Sequence, residues 1–333
     1  MRVGVVGAGL QARRRLAVLP AEAELVAVAD RDADKARGLT LRYGGAALGC
    51  WQRMLERTDV DAVLVCTPPD SHEEITTAAL GSGRHVLCEK PLAASAGAAH
   101  RMEQAAATAG RVLYCGFNHR FHPAVRRLRQ MVADHSYGRP LAAAGIYGYG
   151  VREGYRDEWR ADPAVVSGGQ LMEQGIHLVD LVDSGLWPVN EVVAQLQHNF
   201  GLNGLEDDAH LMLRSSAGQV AYLRSSLSQW RNRFLFEVTC ERATLRVDGI
   251  GGSYGEQTLT VEERGDGPFQ THVTSFRGAD VTWQCEWECF LSLCRQSPIA
   301  EPDAGGRRSL AIVEAAYRSV AVGGWTRVTE EAR

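Results

Sequence analysis

The stretch Arg2-Val3-Gly4-Val5-Val6-Gly7-Ala8-Gly9-Leu10-Gln11-Ala12 decides the fold. An apolar, β-rich run breaks at a glycine turn, and a helical pattern starts directly after it. In such a strand–turn–helix the first glycine permits the tight turn and the second lets the backbone approach a pyrophosphate. The third position needs only a small residue for helix–strand packing. Gly7, Gly9 and Ala12 meet these demands. The helix start offers amide donors and a favourable dipole to phosphate, so Leu10 and Gln11 join the candidate contacts. Asp30 ends the second apolar run 21 residues after Gly9, where a carboxylate accepts from the adenine-ribose hydroxyls. A glycine turn with an unrelated acid rarely supplies this whole order. Asp30 would repel a 2′-phosphate, which favours NAD over NADP; Arg31 beside it can stack on adenine or accept that phosphate.

Outward from this turn, apolar runs recur at Leu25–Ala29, Ala62–Cys66, His85–Cys88 and Val112–Gly116, separated by helical patterns. Near-continuous apolar runs between helices indicate a parallel sheet buried on both faces. Asp70-Ser71 reads as the cap of a helix ending near Gly81, and Ser95–Ala109 as another helix. After Pro123 the pattern changes: a helix at Ala124–Ala133, an irregular segment from Tyr147 to Asp162, and a helix over about Gly168–Leu186. Four to six alternating strands then run between Glu191 and Phe276, and helices close the chain at Trp283–Arg295 and Arg307–Val322. The fold class is thus an α/β Rossmann domain over 1–121 and an α+β domain with a large open, mainly antiparallel sheet over 122–333.

Length and an apolar fraction of 45% suit two full cores. A net charge of −4 with scattered arginines argues against nucleic acid as a partner. No apolar stretch approaches membrane-spanning length, and the chain opens on a strand rather than a leader. Eight cysteines in core-like contexts, without paired CxxC spacing, imply no metal site and a reducing cytoplasm.

The chain carries 34 arginines but only two lysines, Lys35 and Lys90. Lys90 follows an apolar run in Cys88-Glu89-Lys90-Pro91. A desolvated ammonium can release its proton near neutral pH, whereas a guanidinium cannot, so a site that passes a proton can use lysine but not arginine. Further along, Glu173 and His177 lie four apart on a helical pattern and share a face, so the carboxylate could orient and tune the imidazole.

The glycine turn, Thr67-Pro68-Pro69-Asp70-Ser71-His72, Glu89-Lys90-Pro91 and the late His177 together resemble the Gfo/Idh/MocA oxidoreductases over essentially the whole chain. The resemblance implies that Lys90 and His177 are catalytic and that the Lys90–Pro91 peptide is cis. The family's usual aspartate four residues before the histidine is Glu173 here, as in a subgroup acting on sugars or glycosides. Expected cofactor contacts are Thr67, Pro68, Pro69, His72, Glu89, Lys90, Asn118, Trp159 and Arg160, besides the residues of the glycine turn, Asp30 and Arg31. Expected substrate contacts are Arg120, Tyr147, Asp157 and His177, with Glu173 orienting one catalytic group.

The implied reaction oxidises a secondary CH–OH of a sugar, glycoside or aminoglycoside intermediate to a ketone. The Ala/Gly/Arg-rich composition resembles actinomycete proteins, where such enzymes serve antibiotic biosynthesis. Glu206-Asp207-Asp208, with acids of the 147–162 segment, suggests an acidic pocket for a hydroxyl-rich or cationic sugar; Trp230-Arg231-Asn232-Arg233 keeps a nucleotide-sugar dehydrogenase or ketoreductase open. An inositol or other cyclitol dehydrogenase, a reductase of biliverdin, dihydrodiol or imine type with an apolar pocket, and an NAD-sensing regulatory protein are the remaining alternatives. A homodimer or homotetramer is expected from the open sheet.

Overall fold

The computed structural model describes residues 1–265, 267–296 and 306–329. Contacts divide the chain into two units, Met1–Phe117 with Trp283–Arg307, and Asn118–Thr282 with Arg308–Glu331.

The first unit holds six parallel strands: β1 (Arg2–Val6), β2 (Glu24–Ala29), β3 (Ala46–Leu48), β4 (Ala62–Val65), β5 (His85–Glu89) and β6 (Leu113–Gly116). Their order, β3-β2-β1-β4-β5-β6, reverses direction between β1 and β4. In doubly wound sheets ligands bind outside the carboxyl ends of the strands at that reversal. Helices α1 (Leu10–Leu16), α2 (Ala33–Tyr43), α3 (Gln52–Leu55), α4 (His72–Gly81) and α5 (Ala96–Ala109) connect them. β4 is buried at every residue, as a continuous apolar run covered on both faces requires. Asp32 and Ser95 cap α2 and α5 with their side chains. Ser71, read as a cap, instead donates to the Thr67 hydroxyl at 2.8 Å. β3 is an unexpected sixth strand; three residues, Ala46-Ala47-Leu48, offer no β-branched signal.

The second unit starts with α6 (Pro123–Ala133) and is built on a nine-stranded sheet. Its members are β7 (Pro140–Gly150), β8 (Glu191–Gln197), β9 (Asp208–Arg214), β10 (Val220–Ser226), β11 (Ser228–Cys240), β12 (Ala243–Asp248), β13 (Gln257–Glu263), β14 (Gln270–Phe276) and, later in the chain, β15 (Thr326–Arg327). Helix α7 (Ile176–Gly185) packs on it. The central strand is β7, paired parallel with β10 and antiparallel with β11. The irregular reading from Tyr147 was therefore wrong at its start, because Ala142-Ala143-Ala144-Gly145 carries little β-propensity and hides the strand leading there.

Helix α8 (Thr282–Cys294) corrects the single boundary at residue 121, because from Trp283 it belongs to the first unit. Trp287, Phe290 and Leu291 are fully buried, and the Trp287 indole donates to the carbonyl of Arg15 at 3.1 Å. Helix α9 (Gly306–Val322) follows. Among the described residues no helix is long and apolar enough to cross a membrane.

The acidic run does not form an acidic pocket wall. Glu206 accepts from the Tyr317 hydroxyl and the amides of Gly169 and Leu171, and Asp207 from the amide of Phe200 and from Asn199. Asp208 is bidentate with Arg224 and accepts from Ser226 and Ser228. Burial alone would raise the Asp208 carboxyl, but Arg224 and the two hydroxyls hold it below the ordinary aspartate range. Asp208→Asn is expected to lower the unfolding free energy by about 3 kcal/mol at pH 7, the scale for removing one partner of a buried pair. A depressed acid contributes stability above its unfolded pKa, about 3.9, and loses it as pH falls through the lower folded value. Urea titrations of both proteins should thus show the full gap at pH 7 and a narrowing one in acid below that point. A gap that stays constant would contradict the charged pairing.

Candidate active site

The dinucleotide turn is fixed by contact with the end of β4. Gly7 has φ +92°, and a Cβ there would lie 2.7 Å from the carbonyl carbon of Cys66. Only glycine combines that dihedral with so close an approach. Gly9, with φ −77°, begins α1 without any side-chain cap, and a Cβ on it would meet nothing within 4 Å. Asp30 sits just past β2, as expected. Its oxygens accept from the amides of Ala8 at 2.6 Å and Asp32 at 2.8 Å, and each keeps lone-pair capacity for a ribose hydroxyl. Leu10 and Arg31 are exposed at the turn, and the buried Oε1 of Gln11 has no hydrogen-bond partner within the protein.

His72, expected on the cofactor, performs a different task. Nδ1 faces the Pro91 carbonyl at 2.9 Å and Nε2 the Thr67 carbonyl at 2.8 Å, so the ring lies between the Thr67-Pro68-Pro69 turn and the Lys90–Pro91 turn and, when neutral, donates to one of the two carbonyls. Burial holds its imidazole below the ordinary histidine value. The Lys90–Pro91 peptide is cis, and Lys90 follows the last residue of β5. Glu89, also expected on the cofactor, is buried and accepts from Arg15 Nε at 2.6 Å. Arg15 was not anticipated; in Arg13-Arg14-Arg15 nothing distinguishes a buried arginine from two exposed ones.

In the second unit His177 opens α7 just after a π-helical turn at Leu171–Gly175. Its ring stacks on His119, with centroids 3.9 Å apart and planes at 19°. Tyr147, expected near substrate, lies 6.1 Å from His177 and 5.2 Å from His119, ring to ring. Burial, reinforced by Tyr254, raises the Tyr147 hydroxyl well above its ordinary value. His119 is a site residue that the sequence reading missed, hidden in Asn118-His119-Arg120.

Its neighbours proved structural. Asn118 donates to Thr282 at 2.9 Å, and its oxygen meets His119 Nδ1 at 3.1 Å. Arg120 is bidentate on buried Asp180, at 2.8 and 2.5 Å, which anchors α7 rather than reaching for substrate. Glu173 accepts from the Tyr155 hydroxyl and from Arg160 Nε, both at 2.8 Å, and so ties the 151–162 segment to the turn before His177. Arg160 also stacks over the half-exposed Trp159 at 4.4 Å. Asp157 is exposed and lines an open groove with Arg152, Glu153, Asn199 and Phe200.

Residues 1–117 match the oxidoreductase family with an NAD-binding Rossmann fold, and residues 125–246 match the GFO/IDH/MocA C-terminal domain. The chain belongs to the Gfo/Idh/MocA oxidoreductases. A dTDP-3,4-didehydro-2,6-dideoxy-alpha-D-glucose 3-reductase of Saccharopolyspora spinosa is 31% identical over 70% of this chain and 73% of its own. The match to D-glucoside 3-dehydrogenase of Escherichia coli is 35% identical but spans about half of each chain, 54% and 52%. Inositol 2-dehydrogenase 4 of Saccharopolyspora erythraea is 25% identical over 94% and 97%. In fold, levoglucosan dehydrogenase in complex with NADH matches with a TM-score of 0.88 at 22% identity, covering 99% of both chains.

The residues present fit NAD. The uncapped amides after Gly9, the open space beside it and the Asp30 carboxylate suit pyrophosphate and ribose. Two glycine variants separate fold from ligand. Gly7→Ala should lower the melting temperature, whereas Gly9→Ala should melt like the parent yet bind NADH at least about tenfold more weakly, because only the ligand would meet the new methyl. Thermal melts and NADH fluorescence titrations check both, and unchanged NADH affinity in Gly9→Ala would remove the pyrophosphate from this turn.

Proposed function

We propose that this protein oxidises a secondary ring hydroxyl of a sugar or glycoside to a ketone, reversibly, with NAD as hydride acceptor. The observation that carries the reading is the placement of Lys90. One of two lysines in the chain stands at the carboxyl end of β5, one strand beyond the β1–β4 reversal where the dinucleotide turn lies. The relatives' names, a glucoside 3-dehydrogenase, a sugar 3-reductase and an inositol 2-dehydrogenase, support ring carbinol chemistry.

Bound nicotinamide accepts or returns the hydride. Lys90 donates a hydrogen bond to the reacting oxygen and stabilises its developing negative charge. For His177 the proposed role is general base in oxidation and general acid in reduction, since an imidazole titrates near working pH. His119 stacks on its ring and Tyr147 packs against it at a tilt. Glu173 acts at one remove, by ordering Tyr155 and Arg160. A cytoplasmic homo-oligomer belongs to the same proposal. Met212 and Tyr222, opposed across β9 and β10 and both exposed, give the sheet an apolar patch to cover.

NADH formation across glucosides, myo-inositol, dTDP-sugars and aminoglycoside pseudo-oligosaccharides tests the substrate class. On the best substrate, Lys90→Arg is expected to cost about a thousandfold in turnover, within the range for losing acid–base assistance, while NADH binds as before. Near-normal turnover in that variant would sink the role given to Lys90.

A further inference from the structure

We propose that Arg15 is a positioning residue, locking the Glu89–Lys90–Pro91 turn to the helix that opens at the dinucleotide turn. The inference rests on the role given to Lys90 above. Arg15 is 0% exposed, in the last turn of α1. Its Nε meets Glu89 Oε1 at 2.6 Å and its Nη1 meets Glu286 Oε2 at 2.8 Å, with both carboxylates buried. Trp283 lies 4.9 Å from the guanidinium carbon. On β6, a Cβ at Gly116 would fall 2.5 Å from Arg15 Nη2 and 3.4 Å from Glu89 Oε2, so glycine there makes room for the pair. Thus α1, β5, β6 and α8 all contribute to seating one side chain.

Stability alone does not account for this arrangement. Buried ion pairs cost nearly as much in desolvation as they return, and well-packed apolar side chains often replace them without loss. What a guanidinium supplies is geometry: a rigid, planar fork whose Nε is hydrogen-bonded to Glu89 while its Nη1 is ion-paired with Glu286, which a lysine cannot do. One of those carboxylates belongs to the residue immediately before Lys90. Two residues later the Pro91 carbonyl is held by His72, so the turn is fixed on both sides of Lys90. Because α1 begins at Gly9, the same helix carries the pyrophosphate amides at one end and the Glu89 anchor at the other. Nucleotide affinity and the setting of Lys90 should therefore change together when the fork is lost.

The lysine count makes the test clean. In protein labelled with ¹³C-lysine only two side chains report, and Lys35→Arg, an exposed position, assigns them. In Arg15→Lys, which keeps charge but loses the fork, the Lys90 Cε–Hε signal of the ligand-free protein should shift or broaden while that of Lys35 stays. NADH should bind at least about tenfold more weakly, with the circular dichroism spectrum unchanged. Glu286→Gln should move the Lys90 signal less, and it serves as the deciding variant should Arg15→Lys not fold. A folded variant whose Lys90 signal and NADH affinity both match the parent would overturn the inference, because a purely structural residue lowers stability without moving either. None of these readouts involves turnover, so the outcome is independent of whether Lys90→Arg remains active.

Discussion

The first unit depends on one close approach, that of the Gly7 backbone to the Cys66 carbonyl at the end of β4. Adjacent parallel strands must end at the same level for this contact to exist, and their connections must leave in opposite directions. The contact therefore sets where the sheet reverses. From it polar contacts run along the carboxyl edge: the Ala8 amide on Asp30 on one side, and on the other His72 between the carbonyls of Thr67 and Pro91. Glu89 and Arg15 continue the set into the core beneath. Three loops distant in sequence thus share one geometry, because a displacement of any of them breaks a buried polar contact costing roughly 1–3 kcal/mol when unmade.

The second unit uses different means. There His119 is stacked on His177, Tyr147 is tilted against both rings, and Phe234 meets His119 and Tyr147 edge-on. Ion pairs then fix the elements that carry those rings: Arg120 on Asp180 for α7, and Arg160 on Glu173 for the segment before it. Stacking sets the plane of the His177 ring, whereas His72 has a backbone carbonyl against each ring nitrogen. The two histidines illustrate opposite uses of one side chain.

Most of this was legible where residue type is dictated by backbone geometry or by chemistry that no other side chain performs. Gly7, Gly9, Asp30, Lys90 and the apolar runs of the sheet belong to that class. Illegible were features whose letters have commoner uses. β7 reads as loop because alanine and glycine fill a crowded central strand, where Gly145 lies against Leu178 and Leu223. Arg15 passes for solvated charge, Arg120 for a substrate contact and the acids at 206–208 for a pocket wall, since burial is a property of the folded environment rather than of the letter. His72 and Glu89, expected on the cofactor, face backbone carbonyls and Arg15 instead, because hydrogen-bond direction is not written in spacing. The return of α8 was hidden because an apolar helix gives no sign of which core it joins.

That return has a consequence for the order of synthesis. Most of the dinucleotide half is encoded within the first 117 residues, yet Glu286, Trp287 and Phe290 leave the ribosome only after residues 118–282 of the second unit. Until then Arg15 faces one carboxylate instead of two and lacks the cover of Trp283 and Trp287. The nascent first unit must wait until Trp287 and Phe290 have been made before its core is complete, so the cofactor-binding half is finished only after residues 118–282 have been synthesised.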